Sequence, residues 1–94
     1  MKVIMVYDIN TEDKEGVKRL NKIRKTARKY LHHIQKSVFE GEMTEKYLRM
    51  LKKEIMKIID EDKDHVIIYT AQVPSNIEKE ILTNTQDKTS FIID

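Results

Sequence analysis

Apolar positions near the start of the chain run unbroken from Val3 to Tyr7 and stop at Asp8, ahead of the turn-like Asn10-Thr11-Glu12-Asp13. In an extended chain, Val3, Met5 and Tyr7 point to one side and Ile4, Val6 and Asp8 to the other. Both sides are apolar, which predicts a central strand over residues 2–8, covered on both faces. His65 to Ala71 repeats this two-sided pattern and predicts another such strand. Between them the period changes. Val17, Leu20, Ile23 (or Arg24), Ala27 and Tyr30-Leu31 recur at helical spacing over residues 14–31, with Thr11 or Asp13 placed to cap the start. A second helical stripe of Tyr47 or Leu48, Leu51, Ile55 and Ile58-Ile59 spans residues 44–59, with Thr44 as N-cap.

The stretch from His33 to Gly41 is rich in β-branched and aromatic residues at its centre and reads as one strand, with Gln35, Ser37 and Phe39 sharing a face. After the punctuation at Pro74-Ser75-Asn76, residues 77–82 read as a short strand, 83–90 as a loop, and Phe91-Ile92-Ile93 as an apolar terminal segment. The order as read is β-α-β-α-β-β. With only a short connection at 41–44, it fits the β-α-β-β-α-β plan of ferredoxin-like domains. The expected fold is α+β: a ferredoxin-like sandwich with an antiparallel sheet and two helices on one face. Residues 1–94 form a single domain, and residues 77–94 are an extension expected to pair with a sheet edge. Two helices cover one face of a small sheet, yet two of its strands are apolar on both sides. The other face therefore calls for a partner, and a homodimer is the simplest.

Composition narrows the class. With 39% hydrophobic and 36% charged residues, the chain can build one modest core under a heavily charged surface. It has no cysteine, which excludes disulfides and thiolate metal sites and fits a cytoplasmic protein. No apolar run is long enough to cross a membrane or to serve as an export signal. The net charge of +2 hides an asymmetry: residues 14–31 hold eight Lys or Arg against the single Glu15, a local balance of +7 that leaves −5 for the rest. On that helix, Lys18, Lys22, Lys25 and Lys29 form one row and Arg24 with Arg28 another. The row lacks interleaved acids, which favours a polyanion-binding surface over a merely solvated face.

Asp8 is the candidate for chemistry. A carboxylate ending a buried strand must be hydrated, paired or metal-bound, since burying it bare is costly; its other reading is a turn or capping aspartate. His32 and His33 have an alternative reading as general bases, but the preferred one is that they finish the first helix, where imidazolium meets the negative dipole end; His65 reads as a strand-entry residue.

Taken together, Val6-Tyr7-Asp8-Ile9, the basic helix ending Arg28-Lys29-Tyr30-Leu31, Gln35-Lys36-Ser37-Val38-Phe39-Glu40-Gly41-Glu42 and Val66-Ile67-Ile68-Tyr69 resemble the CRISPR-associated Cas-two family. The resemblance runs nearly from the first residue to Ala71. It implies a ferredoxin-like homodimer that acts with the Cas-one integrase in spacer acquisition, and a metal-dependent nuclease acting on DNA or RNA. It matches Asp8 to the family's metal-binding and catalytic aspartate, Tyr7, Ser37 and Phe39 to neighbouring motif positions, and Arg19 to a basic position beside Lys18, Lys22, Lys25, Arg28 and Lys29. Mg²⁺ is the expected metal, because one or two carboxylates with waters and phosphate oxygens complete its octahedron; two Asp8 side chains across a twofold axis would supply such a pair. Competing readings are a non-catalytic architectural adaptor on duplex nucleic acid, a ferredoxin-like toxin ribonuclease and a small regulatory binding module.

Overall fold

The unbroken apolar run at the start becomes strand β1 (Lys2–Asp8) in the computed structural model, which describes residues 1–72 together with residues 80 and 82. The elements that follow are α1 (Lys14–Ala27), β2 (His32–Gln35), β3 (Val38–Glu42), α2 (Glu45–Ile58) and β4 (His65–Ala71). They form one antiparallel sheet in the order β2-β3-β1-β4, the β-α-β-β-α-β arrangement of a ferredoxin-like α+β sandwich. The predicted segments 77–82 and 91–93 lie outside the described residues, apart from Glu80 and Leu82.

Alternation along β1 decides what goes inside. Val3, Met5 and Tyr7 are buried, and Phe39 of β3 stands opposite Met5 on the same face. Ile23 and Ala27 of α1 and Leu48, Leu51 and Ile55 of α2 close over them as a single core. Each fully buried side chain of this size contributes about 1.5–3 kcal/mol. The opposite sheet face carries Ile4, Val6, Val38 and Ile67, all only partly buried, and Tyr69, which is 55% exposed. Both helices pack on the other side.

Local chemistry explains the helix starts. Asp13 caps α1 by accepting the Gly16 N–H at 2.8 Å, and Thr44 caps α2 by accepting from Tyr47. The first helix is shorter than the predicted 14–31. Its end tightens as the Lys29 and Tyr30 amides donate to the Thr26 and Ala27 carbonyls, an i→i+3 pattern that breaks the α-helical ladder. His32 and His33 therefore belong to β2 instead of finishing the helix, and the His33 ring stacks on Phe39 with centroids 4.5 Å apart. Val17, expected in the apolar stripe, is 45% exposed, while Gly16 and Thr26 are buried.

The predicted strand 33–41 is two strands joined at Lys36-Ser37. The pairing register slips between His33 and Gln35, and the turn is pinned to β1 by two bonds. The Tyr7 hydroxyl donates to the Lys36 carbonyl at 2.5 Å, and the Tyr7 amide donates to the Ser37 carbonyl at 3.1 Å. No described residue has a positive φ, so this is not the type I′ turn that an Asn-Gly pair announces.

Gly16 is where α1 meets the loop after β1. A Cβ there would lie 1.9 Å from the Asn10 carbonyl oxygen and 3.0 Å from the Thr11 Cα, both backbone atoms. Gly16→Ala is expected to lower stability by about 1–3 kcal/mol, as overpacking does, and to move the loop next to Asp8. At Gly41 the nearest atom is the end of a side chain, Leu31 Cδ2 at 3.1 Å, and not backbone, so Gly41→Ala should cost less. Urea midpoints of the two variants test this, and equal midpoints would contradict it.

Candidate acidic site and nucleic-acid interface

Asp8 ends β1 on the sheet face that the helices leave uncovered, exposed and directly opposite His65 in the β1–β4 ladder. A shallow cavity of about 340 Å³ beside it is lined by Asp8, Asn10, Thr11, Glu12, Lys63 and His65. Its rim is held from behind by Asp64, whose side chain is fully buried. Asp64 accepts the Arg19 Nε–H at 2.7 Å and an Arg19 Nη2–H at 3.2 Å. It also accepts the Asn10 amide at 3.0 Å and the Asp60 amide at 2.9 Å, while Arg19 Nη2 donates to the Asn10 carbonyl at 3.3 Å. One carboxylate thus ties the loop leaving β1, the turn entering β4 and helix α1 into a unit. Burial pushes the Asp64 carboxyl up, but the Arg19 guanidinium and the Asp60 and Asn10 amides outweigh it and hold its pKa below the usual range. The same bond raises the pKa of Arg19.

The structure therefore places Arg19 apart from the other basic residues expected to bind nucleic acid, committed to Asp64. Nothing in the sequence separated Asp64 from the other acids of the 60–64 turn; only its burial against Arg19, Asn10 and the Asp60 amide does. The motif neighbours are also inward. Tyr7 and Phe39 are core residues with ring centroids 5.9 Å apart, and Ser37 contributes its carbonyl to the hairpin turn. Arg24 Nε donates to the Tyr7 hydroxyl at 3.3 Å. These side chains set the frame from which Asp8 projects on the other side.

Lys18, Lys22, Lys25, Arg28 and Lys29 are exposed on α1. Lys18 lies 3.8 Å from Glu15, and Lys29 lies 2.9 Å from Glu54. Glu54 also accepts the Tyr30 hydroxyl, and this bond, with Lys29, keeps the Glu54 carboxyl below its ordinary pKa. Lys22, Lys25 and Arg28 have no ion-pair partner among the described residues. The fold does not bring this row to Asp8: the cations sit on the helix layer, the carboxylate on the opposite face of the sheet.

Among the described residues no group of three or more His, Cys, Asp or Glu converges as a metal site. At this cavity one chain offers a hard cation the carboxylate of Asp8, with Glu12 the other acid in the lining. That donor suits Mg²⁺, which takes one or two carboxylates and completes its shell with waters and phosphate oxygens. Among the described residues no helix is long and apolar enough to cross a membrane.

Comparison with known proteins identifies the family and agrees with the fold. The family described as "CRISPR associated protein Cas2" matches residues 1–88. Over 87 residues the chain is 56% identical to the "CRISPR-associated endoribonuclease Cas2 2" of Moorella thermoacetica, covering 93% of this chain and 96% of that protein. It is 46% identical over 93 residues to the "CRISPR-associated endoribonuclease Cas2" of Dictyoglomus turgidum, covering 99% and 100%. The crystal structure of Streptococcus pyogenes Cas2 at pH 6.5 superposes with a TM-score of 0.71 at 33% identity, covering 85% of this chain and 99% of that one.

Proposed function

From the premise that the chain belongs to the CRISPR-associated Cas2 family, we propose that it is a Mg²⁺-dependent endoribonuclease working as a homodimer through its open sheet face. In this reading it also serves CRISPR adaptation in the cytoplasm as a nucleic-acid-binding partner of the Cas-one integrase. The observation that carries the reading is the position of Asp8, an exposed carboxylate at the end of β1 on the same face as Ile4, Val6, Ile67 and Tyr69. Burying that apolar patch against a second copy brings two Asp8 side chains to one interface, and the relatives named endoribonuclease supply the reaction class.

When bound, Mg²⁺ supplies charge that polarises a phosphodiester and favours a water nucleophile. The chain's own residues do the rest. Asp8 offers the oxygen donor, and His65 stands across the ladder from it. The Arg19–Asp64–Asn10 bonds hold the flanking loops still, and a preorganised site has less reorganisation to do when substrate arrives. Cations on α1 hold phosphates without regard to sequence.

A second reading, the architectural adaptor, is favoured by the distance between the basic helix layer and Asp8. Two measurements separate them. Purified protein should cleave single-stranded RNA with Mg²⁺, lose that activity in EDTA and regain it when Mg²⁺ is restored. Sedimentation should give a dimer. Cleavage indifferent to chelation contradicts the Mg²⁺-dependent nuclease reading, and a monomer at high micromolar concentration contradicts the homodimer that both readings share. Spacer integration retained by Asp8→Asn in the presence of the integrase supports the adaptor role as the physiological one.

A further inference from the structure

Helix α2 carries a charge pattern of its own. Lys46, Arg49, Lys53 and Lys57 follow one another at spacings of three and four, which places them in a single row along the helix. Leu48, Leu51 and Ile55 take the opposite side and are buried in the core. All four cations are exposed, and none has an ion-pair partner among the described residues. The acids of α2 offset the row only at its ends, where Glu45 lies four residues before Arg49 and Lys57 acts on Glu54. Glu45 sits in the first turn, and Glu54 turns sideways to α1, where it takes Lys29 and the Tyr30 hydroxyl. Those contacts, with the Tyr30–Tyr47 ring pair at 6.5 Å, set α2 beside α1. The two rows therefore lie on neighbouring helices of one layer, with Glu54 at the contact between the helices.

We propose that Lys46, Arg49, Lys53 and Lys57 form a second row for the phosphate backbone of duplex nucleic acid, completing with α1 a two-helix binding face. This extends the nucleic-acid reading above and rests on it. Four residues spread over three helical turns span roughly 16 Å at 1.5 Å per residue, beside a neighbour helix about 8–10 Å away. That footprint matches about five base pairs of duplex, with phosphates every 3.4 Å along each strand. Lysine dominates the row, and its compact, hydrated charge suits contact with phosphate better than the reading of bases. A duplex fits better than an acidic protein because the charge is linear and recurs at a regular helical spacing.

The test uses a short non-specific duplex in EDTA, so that binding is read without cleavage, with the affinity measured by fluorescence anisotropy across a salt series. The variant Lys46→Gln/Arg49→Gln/Lys53→Gln/Lys57→Gln should lower the slope of log K against log salt by about 3 to 4, close to one per lost contact. At about 0.1 M salt its affinity should fall tenfold or more. Lys46→Arg/Lys53→Arg/Lys57→Arg, which keeps the charge, should bind as the wild type does. Lys53→Gln alone should lower the slope by about one and serves if the quadruple variant is poorly folded. If the α2 variants keep the wild-type slope while Lys18→Gln/Lys22→Gln/Lys25→Gln/Lys29→Gln loses it, the α2 row is misassigned and the α1 reading stands. If neither set changes the slope, the nucleic-acid face fails altogether. If the α2 variant binds duplex normally but loses an acidic protein partner, the row is a protein-docking surface and the proposal is overturned.

Discussion

Asp8→Asn is expected to lower Mg²⁺-dependent RNA cleavage by about a hundredfold or more while leaving the melting temperature unchanged. The substitution keeps the side chain's shape and removes its charge. In a homodimer it removes both copies at once, leaving Mg²⁺ with amide oxygens in place of carboxylates, and Mg²⁺ binds through very few protein carboxylates to begin with. Losing a single preorganised charge-stabilising group typically costs a hundredfold to a thousandfold in rate. Stability should hold because Asp8 is exposed and its side chain makes no hydrogen bond or ion pair among the described residues. Such surface changes rarely alter stability much. The decisive comparison is single-turnover cleavage by rigorously purified wild type and variant, with thermal melts alongside. Undiminished cleavage by the variant would remove Asp8 from the catalytic role; a matching collapse in stability would make it structural.

The second large effect lies in a residue with no expected role in the chemistry. Asp64→Ala should destabilise the fold by about 3–5 kcal/mol, the usual cost of breaking a buried charge pair by deleting one member. The deletion leaves the Asn10 and Asp60 amides without their acceptor and the Arg19 guanidinium without its counter-charge. Against a total stability of about 5–15 kcal/mol for a domain, this is a large share. Asp64→Asn keeps an acceptor oxygen and should fall between wild type and alanine. The pH dependence carries a sign. The folded-state pKa of Asp64 is lowered, so its contribution is fully present above the unfolded value of about 3.9 and is lost as pH falls through the folded value. Urea midpoints measured from neutral pH downward should show wild type losing stability below about pH 4. Asp64→Asn should change less over that range, so the gap between the two narrows in acid. A gap that stays constant with pH would mean that the charge of Asp64 does not stabilise the fold.

The two predictions differ in how far the sequence foretold them. Asp8 stood out because an apolar run stopped at a carboxylate. Asp64 was one of several acids in a polar turn, and the basic segment hid Arg19 among seven other cations. Their partnership joins residues 45 positions apart, and no periodicity reports on that. The hairpin between β2 and β3 escaped for a related reason. Lys36-Ser37 lacks the glycine or asparagine that marks a tight hairpin turn, and the turn is held by Tyr7 of a different strand. The helical assignment of His32 and His33 failed because apolar spacing continued past Ala27 while the backbone had already tightened into a turn.

By itself the sequence determined the parts whose causes are local. Unbroken apolar runs set the bounds of β1 and β4, the apolar stripe and the Thr44 cap set α2, and the run of lysines set a charged face on α1, because these patterns are written in residues within a few positions of one another. The tertiary structure alone decided that Arg19 belongs to Asp64, that Tyr7 and Phe39 face the core, and that the cations of the helix layer and Asp8 occupy opposite sides of the sheet. Those outcomes depend on which segments pack together, and packing is settled by the burial of the whole core.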